Sequence, residues 1–215
     1  MRVLSVNVGR ARLVMHNGRP VSTGIFKTPV DGPIAVHTHG LAGDVQADLS
    51  VHGGPEKAVY AYPWEHYAAW SAELGRGDFS PGQFGENLTI EGLGESTVHI
   101  GDVFRIGSAE LQVSQPRAPC LKLGIKMKSA AFPAAFLKSG RVGFYLRVLC
   151  EGRIAAGDAV ACVSTDDARM TVVEMSHLRH FDHGNLDGAR RAAALTSLSA
   201  DWRGHFQKRV AGQSP

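Results

Sequence analysis

The alternation of apolar and polar residues predicts a chain built mainly from short strands. The alternation begins at Val3–Val8, and similar runs recur at close spacing until Ser164. A period of two places successive side chains on opposite faces, so each run indicates a strand with one buried face. About eight or nine short strands at this spacing favour a closed or nearly closed β-barrel.

The dipeptide Asn17-Gly18 is the strongest local signal in the strand-rich region. Asn-Gly between apolar runs predicts a type I′ turn, because both central residues of that turn need a positive φ. We therefore expect residues 12–15 and 21–27 to pair as a β-hairpin. Pro63 suits the first turn of a helix, and helices are predicted over residues 64–74, 121–128 and 131–138.

The character of the sequence changes at Asp166-Asp167. Thr171 and Ser199 have side chains that cap helix N-termini. The helices of this region are predicted over residues 172–179, 186–195 and 200–210. The chain then divides into a β-barrel domain, residues 1–165, and a small C-terminal three-helix appendage, residues 166–215. The predicted class is mainly β with helices, that is, α+β.

One face of the last predicted helix is aromatic. Trp202, Phe206 and Val210 follow one another at a spacing of four residues, which places them on one side of a helix. Such a face has to be covered, either by the barrel of the same chain or by a second copy. A homodimer is the expected assembly.

Composition and charge exclude several function classes. The 215 residues carry a net charge of +3 without a dense Lys/Arg run, which argues against nucleic-acid binding. No apolar stretch reaches the roughly 18 residues that cross a bilayer, and the N-terminus lacks a signal-peptide pattern. We therefore expect a cytoplasmic protein that binds neither nucleic acid nor membrane.

The three cysteines, Cys120, Cys150 and Cys162, are odd in number and lack Cys-x-x-Cys spacing. This argues against a disulfide framework or a zinc ribbon and favours a reducing compartment. Cys150 and Cys162 lie in strand-like apolar runs, where we expect them to be part of the core.

Cys120 ends the stretch on which the functional prediction depends, Ser114–Cys120. Pro116 and Pro119 remove backbone donors and fix φ, so they are expected to end any ladder or helix before the cysteine. Arg117 stands close enough in sequence to stabilise a thiolate. The alternative is a structural cysteine that packs as a small apolar residue after a proline-rich corner.

Two chemical interpretations compete. The first is a metal hydrolase, because His37 and His39 would share one face of a strand, with Asp44 and His52 nearby. This signal is weak, since His-x-His is common in a chain with 10 histidines and no further ligand has metal-site spacing.

The second interpretation makes the Cys120 thiolate a soft metal ligand or a nucleophile. Cationic side chains and glycine amides would hold an anionic cofactor, since glycine lets a backbone approach a ligand closely. The residues assigned to this site are Lys27, His52, Gly53, Gly54, Lys57, Asn87, Arg117 and Cys120.

Several motifs, taken in order, resemble those of a MOSC domain, the C-terminal domain type of molybdenum cofactor sulfurases. They are His52-Gly53-Gly54, Phe84-Gly85-Glu86-Asn87-Leu88, Val98-His99-Ile100-Gly101-Asp102, Ser114-Gln115-Pro116-Arg117-Ala118-Pro119-Cys120 and Ala156-Gly157-Asp158. The predicted helical tail and Lys27-Thr28-Pro29-Val30 resemble more closely the stand-alone YiiM-type branch, which is associated with hydroxylaminopurine resistance. The resemblance covers essentially the whole chain.

The resemblance implies a barrel that binds a molybdopterin-type molybdenum cofactor. Cys120 would be the molybdenum ligand. His52 and Lys27 would line the catalytic pocket as proton donors or substrate-orienting groups. The pterin or its phosphate would be contacted by Arg117, Asn87, Lys57 and the Gly53-Gly54 backbone.

For the YiiM-type branch, the resemblance implies an oxidoreductase that reduces N-hydroxylated compounds, such as hydroxylaminopurine, to amines and so detoxifies them. The chain has too few cysteines for a Cys₄ iron–sulfur cluster. Electrons would therefore come from a separate reductase. The alternative is a non-catalytic module that carries the molybdenum cofactor or its sulfur.

Overall fold

The computed structural model describes residues 1–45 and 53–212. Its strands are β1 (Arg2–Val8), β2 (Arg12–His16), β3 (Arg19–Thr23), β4 (Thr28–Pro29), β5 (Ile34–His37), β6 (Gly40–Leu41), β7 (Val59–Pro63), β8 (Leu88–Glu91), β9 (Val103–Ile106), β10 (Ala109–Pro116), β11 (Phe144–Cys150), β12 (Gly152–Ile154) and β13 (Val160–Ser164). Its helices are α1 (Glu65–Leu74), α2 (Leu121–Met127), α3 (Phe132–Lys138), α4 (Val172–His180), α5 (Leu186–Ala194) and α6 (Ala200–Ala211), with a 3₁₀-helix at Pro55–Lys57.

Eight strands form one mixed sheet in the order β13-β9-β10-β11-β7-β8-β1-β4. Strands β7 and β8 are parallel, and the other neighbours in this sheet are antiparallel. A parallel pair needs a crossover, which the segment containing α1 supplies. A second sheet has the order β12-β5-β6, and β2 pairs with β3 alone.

The main sheet curls back on itself. Within the described residues its strand order does not close into a barrel, because β13 and β4 remain at the two ends. The start of β13 nevertheless meets β1, since Val160 N donates to Met1 O at 3.0 Å and Arg2 forms an isolated bridge with Ala159. The α+β class with a helical C-terminal region is confirmed, and a curled mixed sheet takes the place of the closed barrel.

The predicted hairpin is present as β2 and β3. Asn17 and Gly18 have φ values of +50° and +73°, as a type I′ turn requires. Strand β3 ends at Thr23, earlier than predicted, where the chain passes close to another segment. A Cβ on Gly24 would lie 2.2 Å from the carbonyl oxygen of Val45.

The helix predictions are accurate to within one or two residues. The caps predicted for α4 and α6 form, since Thr171 Oγ1 accepts from Glu174 N and Ser199 Oγ accepts from Trp202 N. The prediction that Cys150 and Cys162 belong to the core is wrong, because both are exposed. Cys150 ends β11 where that strand leaves the core, and Cys162 lies on the end strand of the sheet.

Two apolar cores flank the sheet. The larger one joins the strands to the C-terminal helices, and Trp202 and Phe206 are buried in it with Leu111 of β10. The aromatic face of α6 is thus covered within the chain. The smaller core packs α1, α2 and α3 against β7, with Trp70 donating to the Tyr62 hydroxyl at 2.8 Å. None of the described helices combines the length and apolarity needed to cross a membrane.

Candidate functional site

A pocket brings together six of the predicted site residues. It is lined by Lys27, Gly53, Lys57, Asn87, Arg117 and Cys120, and its empty space is about 620 Å³, counting the part open to solvent. Gly54 lies next to Gly53 with a φ of +83°. The predicted catalytic His52 lies outside the described residues.

Cys120 reaches the pocket because the end of β10 fixes the turn before it. The strand continues through Pro116, which is opposite Phe144. Arg117 N then donates to Gly143 O at 3.2 Å. Cys120 follows in extended conformation at the N-cap of α2, and its side chain is half-buried at the pocket wall. This placement favours the reactive interpretation over the purely structural one.

Arg117 is a buried cation in the wall of the pocket. The residue is 5% exposed, and its guanidinium carbon lies 5.1 Å from the centre of the Tyr60 ring. Its Nη1 has no hydrogen-bond partner within the part of the chain that the structure describes. An unsatisfied buried donor on a permanently charged group is costly, and an anion in the pocket would satisfy it.

Lys27 is held in the pocket by Asp44. The Lys27 ammonium group donates to Asp44 Oδ2, and the two side chains are 9% and 5% exposed. The Asp44 carboxylate also accepts from Gly9 N at 2.8 Å and from Asn87 Nδ2 at 2.9 Å. Burial lowers the pKa of Lys27, and the attraction to Asp44 opposes that shift. Lys27 is therefore a more acidic ammonium group than a solvated lysine.

Asn87 connects three segments of the pocket wall through its side-chain amide. Its Nδ2 donates to Asp44 and to Asn7 O, and its Oδ1 accepts from Tyr60 N at 3.1 Å. Both the nitrogen and the oxygen of the Asn87 amide are hydrogen-bonded within the protein. In the structure, Asn87 therefore holds the Asp44 carboxylate in position. Contact of Asn87 with a cofactor stays a prediction.

The loop before Asn87 is fixed by a buried carboxylate. Glu86 accepts from Gly82 N at 2.7 Å and from Phe84 N at 3.0 Å. Gly85, which lines the pocket, has a φ of +86°, and a Cβ there would lie 2.6 Å from Ile25 Cγ1. Glycine is needed here because both the positive φ and the close approach exclude a side chain.

The pocket lining is predominantly positive. Its ionisable residues include the cations Lys27, Lys57, Arg117 and Lys122 and the carboxylate Asp44. Because Asp44 is already bonded to Lys27, the lining keeps an excess of positive charge. A soft thiol beside these cations suits an anionic ligand that carries a thiophilic metal.

The competing metal-site interpretation gains no support from the structure. His37 is exposed at the end of β5, where its Nδ1 lies 3.4 Å from Glu151 Oε2. His39 is exposed beyond that strand, while Asp44 is buried with Lys27. Residues 1–45 and 53–212 contain no group of three or more His, Cys, Asp or Glu side chains that could hold a metal ion.

The sequence did not identify Asp44, Lys122 or Tyr145 as parts of the cofactor pocket, although all three line it. Lys122 could have been found from its position two residues after Cys120. Asp44 and Tyr145 carry no comparable local signal, because the fold alone brings them to the pocket.

Comparison with known proteins identifies the class to which this fold and pocket belong. Residues 48–161 match the MOSC domain model, and residues 170–213 match the YiiM-like, 3-alpha helix domain model. The chain therefore belongs to the MOSC family, with the additional helical domain of YiiM-like proteins.

Individual relatives agree with this assignment. YflK of Bacillus subtilis (strain 168) is 41% identical over 207 residues, which cover 96% of this chain and 93% of YflK. A Gibberella moniliformis protein named "Reductase" is 32% identical over 82% of this chain and 32% of its own length. The crystal structure of YiiM from Geobacillus stearothermophilus has a TM-score of 0.83 and 38% identity, covering 97% of this chain and 98% of that one.

Proposed function

We propose that this MOSC-family protein is a molybdenum-cofactor-dependent reductase that converts N-hydroxylated compounds, such as hydroxylaminopurine-like base analogues, to amines. The observation that carries the proposal is the pocket in which the Cys120 thiol shares a wall with buried Arg117, whose Nη1 has no hydrogen-bond partner among the described residues. The name "Reductase" of the Gibberella moniliformis relative supports the type of reaction.

The residues present fit a molybdopterin-type cofactor. Cys120 Sγ would hold the molybdenum, because thiolates are preferred ligands of soft metals. The unsatisfied Nη1 of Arg117 would donate to the anionic part of the cofactor, and Lys57 and Lys122 extend the positive lining toward it. The bound cofactor would supply the electron pair for the reduction.

Side chains of the pocket would supply the protons that the reduction consumes. Reducing an N–OH group to N–H consumes two electrons and two protons and releases one water, because the N–O bond breaks and an N–H bond forms. Lys27 would donate a proton, and the lowering of its pKa by burial supports this role, because it makes the ammonium group a stronger acid. His52 remains a second predicted donor.

The test is metal analysis combined with turnover. Wild-type protein made in a host that synthesises the cofactor is expected to contain molybdenum and to reduce hydroxylaminopurine with reduced methyl viologen as the electron source. Cys120→Ser should lose both the molybdenum and the turnover. Cys162→Ser is the matched control, because Cys162 is an exposed thiol remote from the pocket lining, and it should retain both.

Two results would contradict the proposal. Full molybdenum occupancy in Cys120→Ser would remove the ligand assignment. Molybdenum bound by the wild type without any turnover would favour the alternative, a carrier of the cofactor or its sulfur.

A further inference from the structure

A buried carboxylate lies directly against the proposed proton donor of the pocket. Lys27 Nζ donates to Asp44 Oδ2, both side chains are buried, and both residues line the pocket. A buried ion pair is costly, because both groups lose their hydration, and it is therefore weak evidence of a role in stability alone. Perturbed ionisable pairs that line a pocket are more typical of functional sites.

The Asp44 carboxylate is fixed by donors other than Lys27. Its Oδ1 accepts from Gly9 N at 2.8 Å, and its Oδ2 accepts from Asn87 Nδ2 at 2.9 Å. The backbone of Asp44 is held as well, since its N donates to Leu41 O at 3.0 Å. Because these side-chain contacts all bind the ionised form, the negative charge has a defined position before any ligand enters.

The chain also closes tightly around Lys27. A Cβ on Gly9 would lie 3.1 Å from Lys27 Cγ, and a Cβ on Gly82 would lie 2.7 Å from Lys27 O. Glycine at these two positions allows the approach. Packing against the stem and the bond to Asp44 at the tip together set where the ammonium group stands.

Lys126 of α2 shows what burial does to a neighbouring lysine that is bonded differently. Its ammonium group donates to the carbonyl oxygens of Ile25 and Gly82, and burial lowers its pKa to about 8. Lys27 is the more deeply buried of the two lysines, and the bond to Asp44 opposes the lowering of its pKa. Without Asp44, we expect Lys27 to lose its proton at or below about pH 8.

The other charged groups around Lys27 do not replace Asp44. Glu86 attracts Lys27 without touching it, because its carboxylate is bonded to Gly82 N and Phe84 N. Lys126 and Lys27 repel each other. The pocket lining adds further cations, which disfavour a charged lysine. They are Lys57, Arg117 and Lys122.

We propose that Asp44 is a positioning residue for the reduction, which keeps Lys27 charged and in place at the pocket. This inference rests on the proposed function. In the reaction an N–H bond of the Lys27 ammonium group breaks, and the proton forms an O–H bond with the departing hydroxyl, which leaves as water. The neutral amine then regains a proton from solvent, favoured by the Asp44 charge, which itself stays unchanged.

The first measurement is the pH profile of viologen-driven reduction of hydroxylaminopurine by the cofactor-loaded protein. Asp44→Asn keeps the shape of the side chain and removes its charge. Since Lys27 has to be protonated, the alkaline limb should move down by about one pH unit or more, and turnover should recover as the pH is lowered. A merely structural role would reduce turnover at every pH and leave the limb where it is.

Two further variants separate charge from placement. Asp44→Glu restores the charge on a longer side chain, so it should keep the alkaline limb near that of the wild type and lower kcat. Asp102→Asn is the matched control, because it removes an equally buried carboxylate that is paired with His99 outside the pocket lining. It should leave the limb unmoved.

The second measurement follows the ammonium group itself and needs no turnover. Lysine side chains carrying ¹³C are titrated by NMR in the cofactor-loaded protein, and the Lys27 signal is assigned by its absence from Lys27→Arg. Asp44→Asn should lower the pH at which Lys27 titrates, while Asp102→Asn should not.

A Lys27 titration that is the same in wild type and Asp44→Asn would overturn the proposed role of Asp44, as would an alkaline limb that stays in place. If Asp44→Asn does not fold, Asp44→Glu decides, since an unchanged kcat would show that the placement of Lys27 does not matter. Wild-type protein that binds molybdenum without turnover would contradict the proposed function instead, and the NMR titration would still show whether Asp44 keeps Lys27 charged.

Discussion

Lys126 shows how a single buried ammonium group shapes the wall beside the pocket. Its Nζ donates to Ile25 O at 3.0 Å and to Gly82 O. These carbonyls belong to the two segments that carry Lys27 and Gly85 to the pocket, so Lys126 ties them together. Burial lowers its pKa to about 8, and the attraction of Glu86 opposes the shift.

This pKa makes stability depend on pH in a defined direction. A lysine in the unfolded chain titrates near pH 10.4, so between about pH 8 and about pH 10.4 the unfolded state binds more protons than the folded state. The contribution of Lys126 to the free energy of unfolding should therefore be least favourable below pH 8 and rise with pH across this interval, by at most about 3 kcal/mol.

The measurement is urea unfolding of wild type and Lys126→Met across this pH range. The wild type should gain stability relative to the variant as the pH rises. Lys138→Met, which changes another lysine at the end of α3, is the control for the loss of a lysine side chain as such. A stability difference between wild type and Lys126→Met that does not change with pH would show that the folded-state pKa of Lys126 is not lowered.

At this scale the sequence predicted residues whose chemistry is visible locally. Cys120 and Arg117 were found because prolines, a guanidinium and a thiol stand within a few positions of one another. Asp44 was not recognised as part of the cofactor pocket, because its role exists only through Lys27 and Asn87, which the fold brings to it. A single sequence does not show contacts of that kind.

Among the elements, the Pro55–Lys57 helix and α6 are held together by one carboxylate. Glu56 Oε2 accepts from Ala200 N, the first residue of α6, at 2.7 Å. Its Oε1 accepts from Arg147 Nη2 at 3.0 Å, and its own carbonyl accepts from Ser114 Oγ at 2.6 Å. The next residue, Lys57, lines the pocket, so the C-terminal helices support the pocket wall through Glu56.

Removing the charge of Glu56 should loosen this connection. Glu56→Gln weakens the acceptor at the N-terminus of α6 and the ion pair with Arg147, so we expect a loss of about 1–2 kcal/mol in the free energy of unfolding. Hydrogen exchange at residues 53–57 should become faster. Thermal unfolding and exchange mass spectrometry measure the two effects.

Glu110→Gln provides the comparison, because Glu110 pairs with Arg105 on the surface and such pairs contribute about 0–1 kcal/mol. If Glu56→Gln behaves like Glu110→Gln, and exchange at residues 53–57 is unchanged, then the C-terminal helices do not support the pocket through Glu56.

Helices were more predictable than strands for a physical reason. Their capping residues, such as Thr171 and Ser199, bond to backbone groups three residues further on and can therefore be recognised from the sequence. Strand β12 was not predicted, because only pairing with the distant β5 makes Gly152–Ile154 a strand. The order of the strands in the main sheet depends on such distant pairings throughout. A sheet with two ends in place of a closed barrel could therefore not be predicted from the sequence.

For the whole molecule, the shared core predicts that sheet and C-terminal helices unfold together. Trp202 and Phe206 are 1% and 0% exposed within the cluster that contains the sheet residues. Phe206→Ala should cost about 3–5 kcal/mol and lower the stability of both parts in one transition. Phe181→Ala, at a site 47% exposed in the same helical region, should cost much less.

Urea unfolding followed by far-UV circular dichroism and by tryptophan fluorescence checks this expectation. Trp70 and Trp202 report on the smaller core and on the helices respectively. Separate transitions, with the strand signal unaffected by Phe206→Ala, would mean that the helical region is an independent unit.

The meeting of β1 with the start of β13 has a consequence for biosynthesis. During translation β1 leaves the ribosome before the strands that follow it, yet it pairs with β8 and with the residues around Val160. The apolar residues Val3 and Val6 therefore have no strand partner until β8 has been synthesised. Unpaired apolar strands are sites at which aggregation begins. Slow translation would prolong that interval, which makes the nascent N-terminal strand the place where a chaperone would protect this protein most effectively.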